Sequence, residues 1–518
     1  MTHEFRFQGC SLPAVFAITL ALTACGGSSN STSTQPGNPV GSNLVQISSD
    51  SFTIAPGQHA TEVEPHLISN GTTMVAAFQV GRIAPGGATD IGFATSTDGG
   101  ATWTQGSLPG LTKGEGTGPY DAASDPAVAY DAKHNVWMIA SLPLSGTVST
   151  PAVVVSRSSD GLNWGNPVSV DSASMSSDKN WIVCDTWQNS PFYGSCYIQW
   201  DDPSNQAHPL QILMSTSTDG GLTWGAATPT ANFAGGIGGQ PLVQPNGNVV
   251  VPIEGTVNAA MTTFVSTNGG TSWSAPVTIS NIQFHADAGN IRSGPLPSAA
   301  VDGAGTIWTV WQDCRFRANC STNDLVYSTS TDGVNWSTVT RIPIDDTSSA
   351  VDHFIPGIGI DPATSGVSAH VALHYYYYSQ SNCDASTCQL FVGFISSANG
   401  GSTWNTPTTL TAAPMMLSWL ADSQNGLMVG DYIATAFVNG VPHGVFAVAQ
   451  ATTVSLGSSP SFHEATYTGS GLSVKVSGQQ RSAAHDKPLH KLSDKIEREV
   501  PEKGIVPPNR RRSRRSAQ

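Results

Sequence analysis

Short apolar runs separated by Gly, Pro, Ser, Thr, Asn and Asp carry the chain from residue 44 to residue 478. Runs such as Ile91 to Thr95, Val153 to Arg157 and Leu325 to Ser328 are too short for helices and are bounded by turn-forming residues, so they predict strands. No long stretch keeps a 3.6-residue apolar period, which argues against a helical bundle. One motif recurs directly after such runs: STDGGATW (96–103), SSDGLNW (158–164), STDGGLTW (217–224), STNGGTSW (266–273), STDGVNW (330–336) and SANGGSTW (397–404). Successive motif tryptophans lie 61, 60, 49, 63 and 68 residues apart, a period that suits a four-stranded antiparallel unit with variable loops.

The motif reads as a strand-turn-strand staple. An Asp or Asn side chain accepts from nearby backbone N–H groups, Gly supplies positive φ, and the Trp covers the turn between neighbouring sheets. A second element, beginning near a Pro or Asp, precedes each copy: 65–79, 125–140, 179–200, 240–253, 294–311 and 355–377. A seventh instance, Gly430-Asp431-Tyr432 through Phe437 and then Val445 to Gln450, has no such turn after it. Pairing it with the segment Val45 to Ile54 would remove exposed sheet edges. The expected fold is all-β: a β-propeller of four-stranded blades over residues 44–478, with seven blades rather than six and a last strand near Leu472 to Val476. In the run His374-Tyr375-Tyr376-Tyr377-Tyr378, alternation puts Tyr375 and Tyr377 on one face and Tyr376 and Tyr378 on the other.

Charge sharpens this picture. Only 11% of the 518 residues are charged, against about 25% in an average soluble protein, and the net charge is −14. The segment 479–518 is basic, with five arginines between Arg510 and Arg515, and reads as disordered; it could meet an anionic polymer. The acidic remainder excludes a nucleic-acid-binding fold. Residues 1–24 carry Arg6 and then a short apolar run ending Leu22-Thr23-Ala24-Cys25, which resembles a bacterial lipoprotein signal with lipidation at Cys25. Residues 25–43 then read as a flexible tether, hanging an exported domain at the cell envelope. The remaining cysteines fall into local pairs, Cys184/Cys196, Cys314/Cys320 and Cys383/Cys388, as expected for disulfides in an exported protein. A zinc site is disfavoured because CxxC spacing and nearby histidine pairs are absent.

The six turns resemble the Asp-box, or BNR, repeats of the sialidase superfamily, over roughly residues 60–410. The resemblance implies a propeller whose channel mouth, opposite the Asp-box turns, binds or hydrolyses glycans. Family sialidases hold the substrate carboxylate with three arginines and use a tyrosine nucleophile with a glutamate and an aspartate acid/base. Here the stretch matching the family's first arginine reads Val63-Glu64-Pro65, so exo-sialidase chemistry lacks that residue. Of the body arginines, Arg157 and Arg341 lie beside Asp-box strands, which leaves Arg82, Arg292, Arg315 and Arg317 for the mouth. The candidate catalytic residues are Asp178, Glu254, Arg292, Arg315, Asp431 and Tyr432; Asp125, Lys179, Asp201, Asp202, Asp313 and Asp352 are further mouth residues. Asp178 and Glu254 exemplify a two-carboxylate glycosidase. No cofactor motif is present, and Ca²⁺ is conceivable on the acidic body without a specific site. The expected partner is a glycan or glycoprotein, with the membrane reached only through the N-terminal lipid, and the chain is expected to be a monomer. If an enzyme, it is a glycoside hydrolase; the competing reading is a noncatalytic propeller scaffolding protein partners.

Overall fold

The structure, a computed structural model, describes residues 37–146, 149–172, 176–256, 259–452, 462–474, 481–482 and 487–488. The signal segment, Cys25, most of the tether and nearly all of the basic tail lie outside them. The fold is all-β and almost wholly antiparallel. Strands follow one another in four-stranded meanders, because each short apolar run ends at a turn that returns the chain beside itself. The first unit is Gln58–Asn70, Thr73–Arg82, Ala88–Ser96 and Thr104–Ser107, and the second is Ala122–Asp131, Val136–Leu144, Val153–Ser158 and Val168–Asp171. The third is Asp178–Cys184, Cys196–Asp202, Gln211–Ser217 and Thr228–Pro229. In the fourth, Gly236–Ile237 and Leu242–Val243 both pair with Val249–Gly255, followed by Ala260–Ser266 and Val277–Asn281. The fifth runs Ser298–Val301, Ile307–Asp313, Asp324–Ser330, Thr340–Arg341, and the sixth Asp352–Ile360, Val371–Tyr378, Gln389–Ser397, Thr408–Thr409.

The seventh unit joins both ends of the body. Ala434–Val438, Val441–Ala449 and Glu464–Gly469 are completed by Leu44–Gln46, with Val45 opposite Thr468. The last body strand among the described residues is thus Glu464–Gly469; of the expected stretch Leu472 to Val476, residues 472–474 are outside any strand and the remainder lies outside the described residues. Thr466, Tyr467 and Thr468 alternate with better cross-strand partners than the Gly-rich segment that follows.

Each pair of consecutive units shares its own apolar cluster. Ile91 and Phe93 of the first meet Ile139 and Val154 of the second, Ala140 and Val155 meet Ile198 and Trp200, and Ile212 and Met214 meet Val251 and Phe264. Met261 meets Trp311 and Val326, Val310 and Leu325 meet Ile358 and Leu373, and Tyr376 meets Phe446. Ala436 and Val445 of the seventh unit then pack on Met74 and Phe78 of the first. The first strands make the same cycle of neighbour contacts, including Ala434–Val438 of the seventh with Gln58–Asn70 of the first, although no single sheet closes. The tyrosine run alternates as expected, and both faces are core: Tyr375 packs toward the fifth unit, Tyr376 and Tyr378 toward the seventh.

All six recurrent motifs sit between the third and fourth strands of their units. In the second unit Asp160 accepts from the backbone N–H of Leu162 and Asn163, each at 2.8 Å. The turn glycine seats against the preceding unit: Gly333 has φ +72°, and a Cβ there would lie 2.8 Å from a Val250 methyl of the fourth unit. Three disulfides join the cysteine pairs expected from spacing, Cys184–Cys196, Cys314–Cys320 and Cys383–Cys388. No helix among the described residues is long and apolar enough to cross a membrane.

Candidate functional site

Four first strands share a local irregularity. Glu64, Asp125, Lys179 and Ile355 each take positive φ, 59°, 52°, 48° and 48°, where the strand register shifts against its neighbour. Non-glycine residues seldom adopt this conformation, and a bulge re-aims the side chain that carries it. In three of the four the next residue is proline, Pro65, Pro126 or Pro356, which has no N–H to lose from the ladder. Two carboxyls and an ammonium are thereby turned toward one another.

Lys179 Nζ lies 3.4 Å from Glu64 Oε1 and 3.8 Å from Asp125 Oδ2, and it also contacts Asp431 Oδ2. Arg292 grips Asp431 with both arms of its fork, Nε to Oδ1 at 2.7 Å and Nη2 to Oδ2. Gln79 donates to the second oxygen of Glu64 and, at 3.2 Å, to Ser124 Oγ. Arg82 is buried, donates to Gln79 Oε1 at 3.3 Å and to the Gly87 carbonyl, and leaves its Nε without a partner. All of these groups except Asp431 line a solvent-open cleft of about 750 Å³ bounded by Glu64, Arg82, Asp125, Asp178, Lys179 and Arg292. A smaller recess of about 270 Å³ shares Lys179 and is lined by Trp181, Gln240, Asp431 and Tyr432.

The environments push these acids apart. Burial, only partly opposed by Lys179, raises Glu64 to about 7, and the same balance raises Asp178 to about 6. Burial works on Asp431 in the same direction, but Arg292 and Lys179 hold its carboxyl far below the usual range. Lys179 and Arg292 stay charged because the surrounding carboxylates outweigh their burial. Burial raises the Tyr432 phenol well above its ordinary value; its hydroxyl donates to the Pro126 carbonyl at 3.0 Å and its ring lies edge-on to Trp181.

Of the residues singled out from sequence, Asp178, Arg292, Asp431 and Tyr432 gather here with Asp125 and Lys179. Glu254 and Arg315 line neither cavity. Glu254 lies buried in Val249–Gly255 beside Ile237 and Met261. Arg315 is committed to Asp313 through Nε at 2.8 Å and Nη2 at 2.7 Å. Arg317 is buried against Asp324 and Asp345, so it too is spent on the protein. Asp202 caps Ser204, and Asp352 pairs with Asp287 in a separate cluster where burial and mutual repulsion raise Asp352 to about 9. Gln79 carries no mark in the sequence, and Glu64 stands out there only as the residue in the place of the arginine that the resemblance implies. The recurring acid-proline step, Glu64-Pro65 and Asp125-Pro126, was the available signal.

No family model and no curated protein matches the sequence. Among solved structures, the chain is similar to a protein of unknown function from Dyadobacter fermentans, with 15% identity, 68% of this chain and 99% of that chain covered, and a TM-score of 0.44. It is also similar to a Hadza microbial sialidase, with 13% identity, coverage of 80% and 66%, and a TM-score of 0.43. An α-L-arabinofuranosidase from Fusarium graminearum shares 14% identity with coverage of 73% and 98% and a TM-score of 0.39.

Proposed function

We propose that the chain is an exported seven-bladed β-propeller, lipid-anchored through Cys25, that binds and hydrolyses a neutral glycan in the cleft around Lys179. The cycle of contacts between first strands supports the propeller, and three disulfides support export. The observation that carries the chemical reading is the split ionisation on either side of Lys179, which lines both the cleft and the recess. Glu64, raised to about 7, and the ionised Asp431 meet the same ammonium. A protonated carboxyl beside a permanent carboxylate is what glycoside cleavage requires: one group protonates the leaving oxygen, the other supports positive charge at the anomeric carbon or activates water. Glu64 takes the first role and Asp431 the second.

A neutral sugar is favoured over sialic acid on charge grounds. Both arms of Arg292 and the Lys179 ammonium are already held by protein carboxylates, and a sialate carboxylate would have to displace them and sit beside Glu64, Asp125 and Asp178. The test is turnover of a panel of neutral aryl glycosides by the wild type, Glu64→Gln and Asp431→Asn. Loss of general-acid assistance predicts that Glu64→Gln drops kcat/KM about 10²–10⁴-fold for poor leaving groups, with the wild-type rate falling as pH rises through about 7. Turnover of sialosides alone would refute the neutral-sugar assignment. Absence of any turnover together with retention on a glycan array would reduce the cleft to a lectin-like site.

A further inference from the structure

A second group of polar side chains, of which Asn180 lines the smaller recess, plays no part in that chemistry. Asn180, Gln199 and Asp201 are 1%, 0% and 0% exposed, and none of their six side-chain nitrogen and oxygen atoms has a hydrogen-bond partner. A buried carboxylate with two empty oxygens beside two empty amides is costly, because each group has given up water without replacement. Such a concentration marks a place where something polar is missing.

The strands explain how the groups meet. Asp201 is the cross-strand partner of Asp178, so the two carboxyls share a face, and Gln199, two residues along the same strand, lies on that face too. Asn180 sits inside the bulge between the paired positions Asp178 and Trp181. The negative field of Asp178 adds to burial in raising Asp201, which marks their proximity. The adjoining fourth unit closes over the group at a glycine: a Cβ on Gly239 would come within 2.7 Å of Gln199 Oε1, so only glycine lets that oxygen stay where it is. Asp178 also lines the cleft, which gives a path from solvent.

We propose that Asp178, Asp201, Gln199 and Asn180 bind a hard divalent cation of the calcium class. Two carboxylates and two amide carbonyls are all-oxygen donors, the set Ca²⁺ prefers, and they supply a large part of the roughly six to eight oxygens it takes, with cleft water completing the shell. The absence of sulfur and imidazole among them disfavours zinc and copper. Cations are available nearby, but the Lys179 ammonium is directed at Glu64 and Asp431 and reaches none of the unpartnered atoms. A cation here would fasten the third unit's first two strands beneath the bulge that presents Lys179.

Calorimetric titration of CaCl₂ into the full chain, after chelation and desalting, tests this directly. One Ca²⁺ per chain is expected, with a rise in Tm, and Asp201→Asn is expected to weaken binding at least tenfold. Gln199→Leu, which removes one oxygen without touching a charge, is expected to weaken it several-fold and serves where Asp201→Asn does not fold. No heat and no Tm shift at millimolar Ca²⁺ would overturn the proposal and leave the pocket to water. Undiminished binding by a folded Asp201→Asn or Gln199→Leu variant, with loss in Glu64→Gln, would overturn it equally by placing the ion among the cleft carboxylates.

Discussion

Lys179 is the residue on which the cleft's electrostatics turn. Its side chain is 6% exposed and faces Glu64 and Asp125, and it shares Asp431 with Arg292, so one ammonium touches three acids. Removing one member of a buried ion cluster costs more than the cluster contributes, since the remaining charges stay desolvated and uncompensated. Lys179→Met is therefore expected to lose about 3–5 kcal/mol in urea denaturation. The double variant Lys179→Met/Glu64→Gln should recover part of that loss, because the glutamine no longer needs a counter-charge. A double variant as unstable as the sum of the two single ones would show that Lys179 and Glu64 are not coupled. Arg292 cannot substitute for the lysine, as its fork is already saturated by Asp431.

At the scale of the element, the recurrent turn comes in two chemical forms. In the seven-residue copies, Asn163 and Asn335 return a side-chain amide to the turn aspartate, and the indoles of Trp164 and Trp336 donate to the turn glycine carbonyl at 3.1 and 3.2 Å. In the eight-residue copies a hydroxyl takes the amide's place, donating to the turn aspartate at Thr102 and Thr223 and accepting from the turn asparagine Asn268 at Ser272, and the indole nitrogens of Trp103, Trp224, Trp273 and Trp404 have no partner. The common requirement is an oxygen accepting backbone N–H groups, which Asn268 meets as well as Asp219 does. Asp160→Ala is thus expected to cost about 1–2 kcal/mol by chemical denaturation and Asp160→Asn only a few tenths. Equal losses would show that charge, rather than backbone capping, matters. This requirement made the turns, the strands around them and the cysteine pairs legible in the sequence, since each is local. The cleft was less so: Asp178, Arg292 and Asp431 lie on different units and meet through the ring, and Glu64 acquires its role from a bulge whose register no local pattern announces. Arg315 misled because its acid, Asp313, is two residues away and consumes it.

For the whole molecule, the seam between the first and seventh units decides cooperativity. Leu44–Gln46 pairs with Tyr467–Gly469, and Ser48 follows it into the seam, donating to Glu62 at 2.8 Å and accepting from the Thr466 N–H at 2.8 Å. Glu62 and Glu464 are both buried there, Glu464 with one oxygen lacking a partner. Burial raises Glu62 to about 8, against the opposing hydrogen bond from Ser48, and raises Glu464 well above its usual value. A carboxyl whose folded pKa exceeds its unfolded one contributes stability that is complete below the unfolded value, near 4.5, and is lost as pH rises through the folded value. The seam should therefore loosen from about pH 4.5 to pH 8. Glu62→Gln keeps the size and a hydrogen-bonding side chain but cannot ionise, so its Tm should fall less than the wild type's between pH 5 and about 8. Parallel Tm-pH curves for the two proteins would mean that Glu62 is solvated in solution and that the ends are not sealed as the strand pairing indicates. Deleting residues 1–49 removes the closing strand and Ser48 together; it should expose the edge of Glu464–Gly469 and shift the protein toward aggregates on size exclusion, whereas an intact monomer of unchanged Tm would show that the ring does not depend on its N-terminal strand.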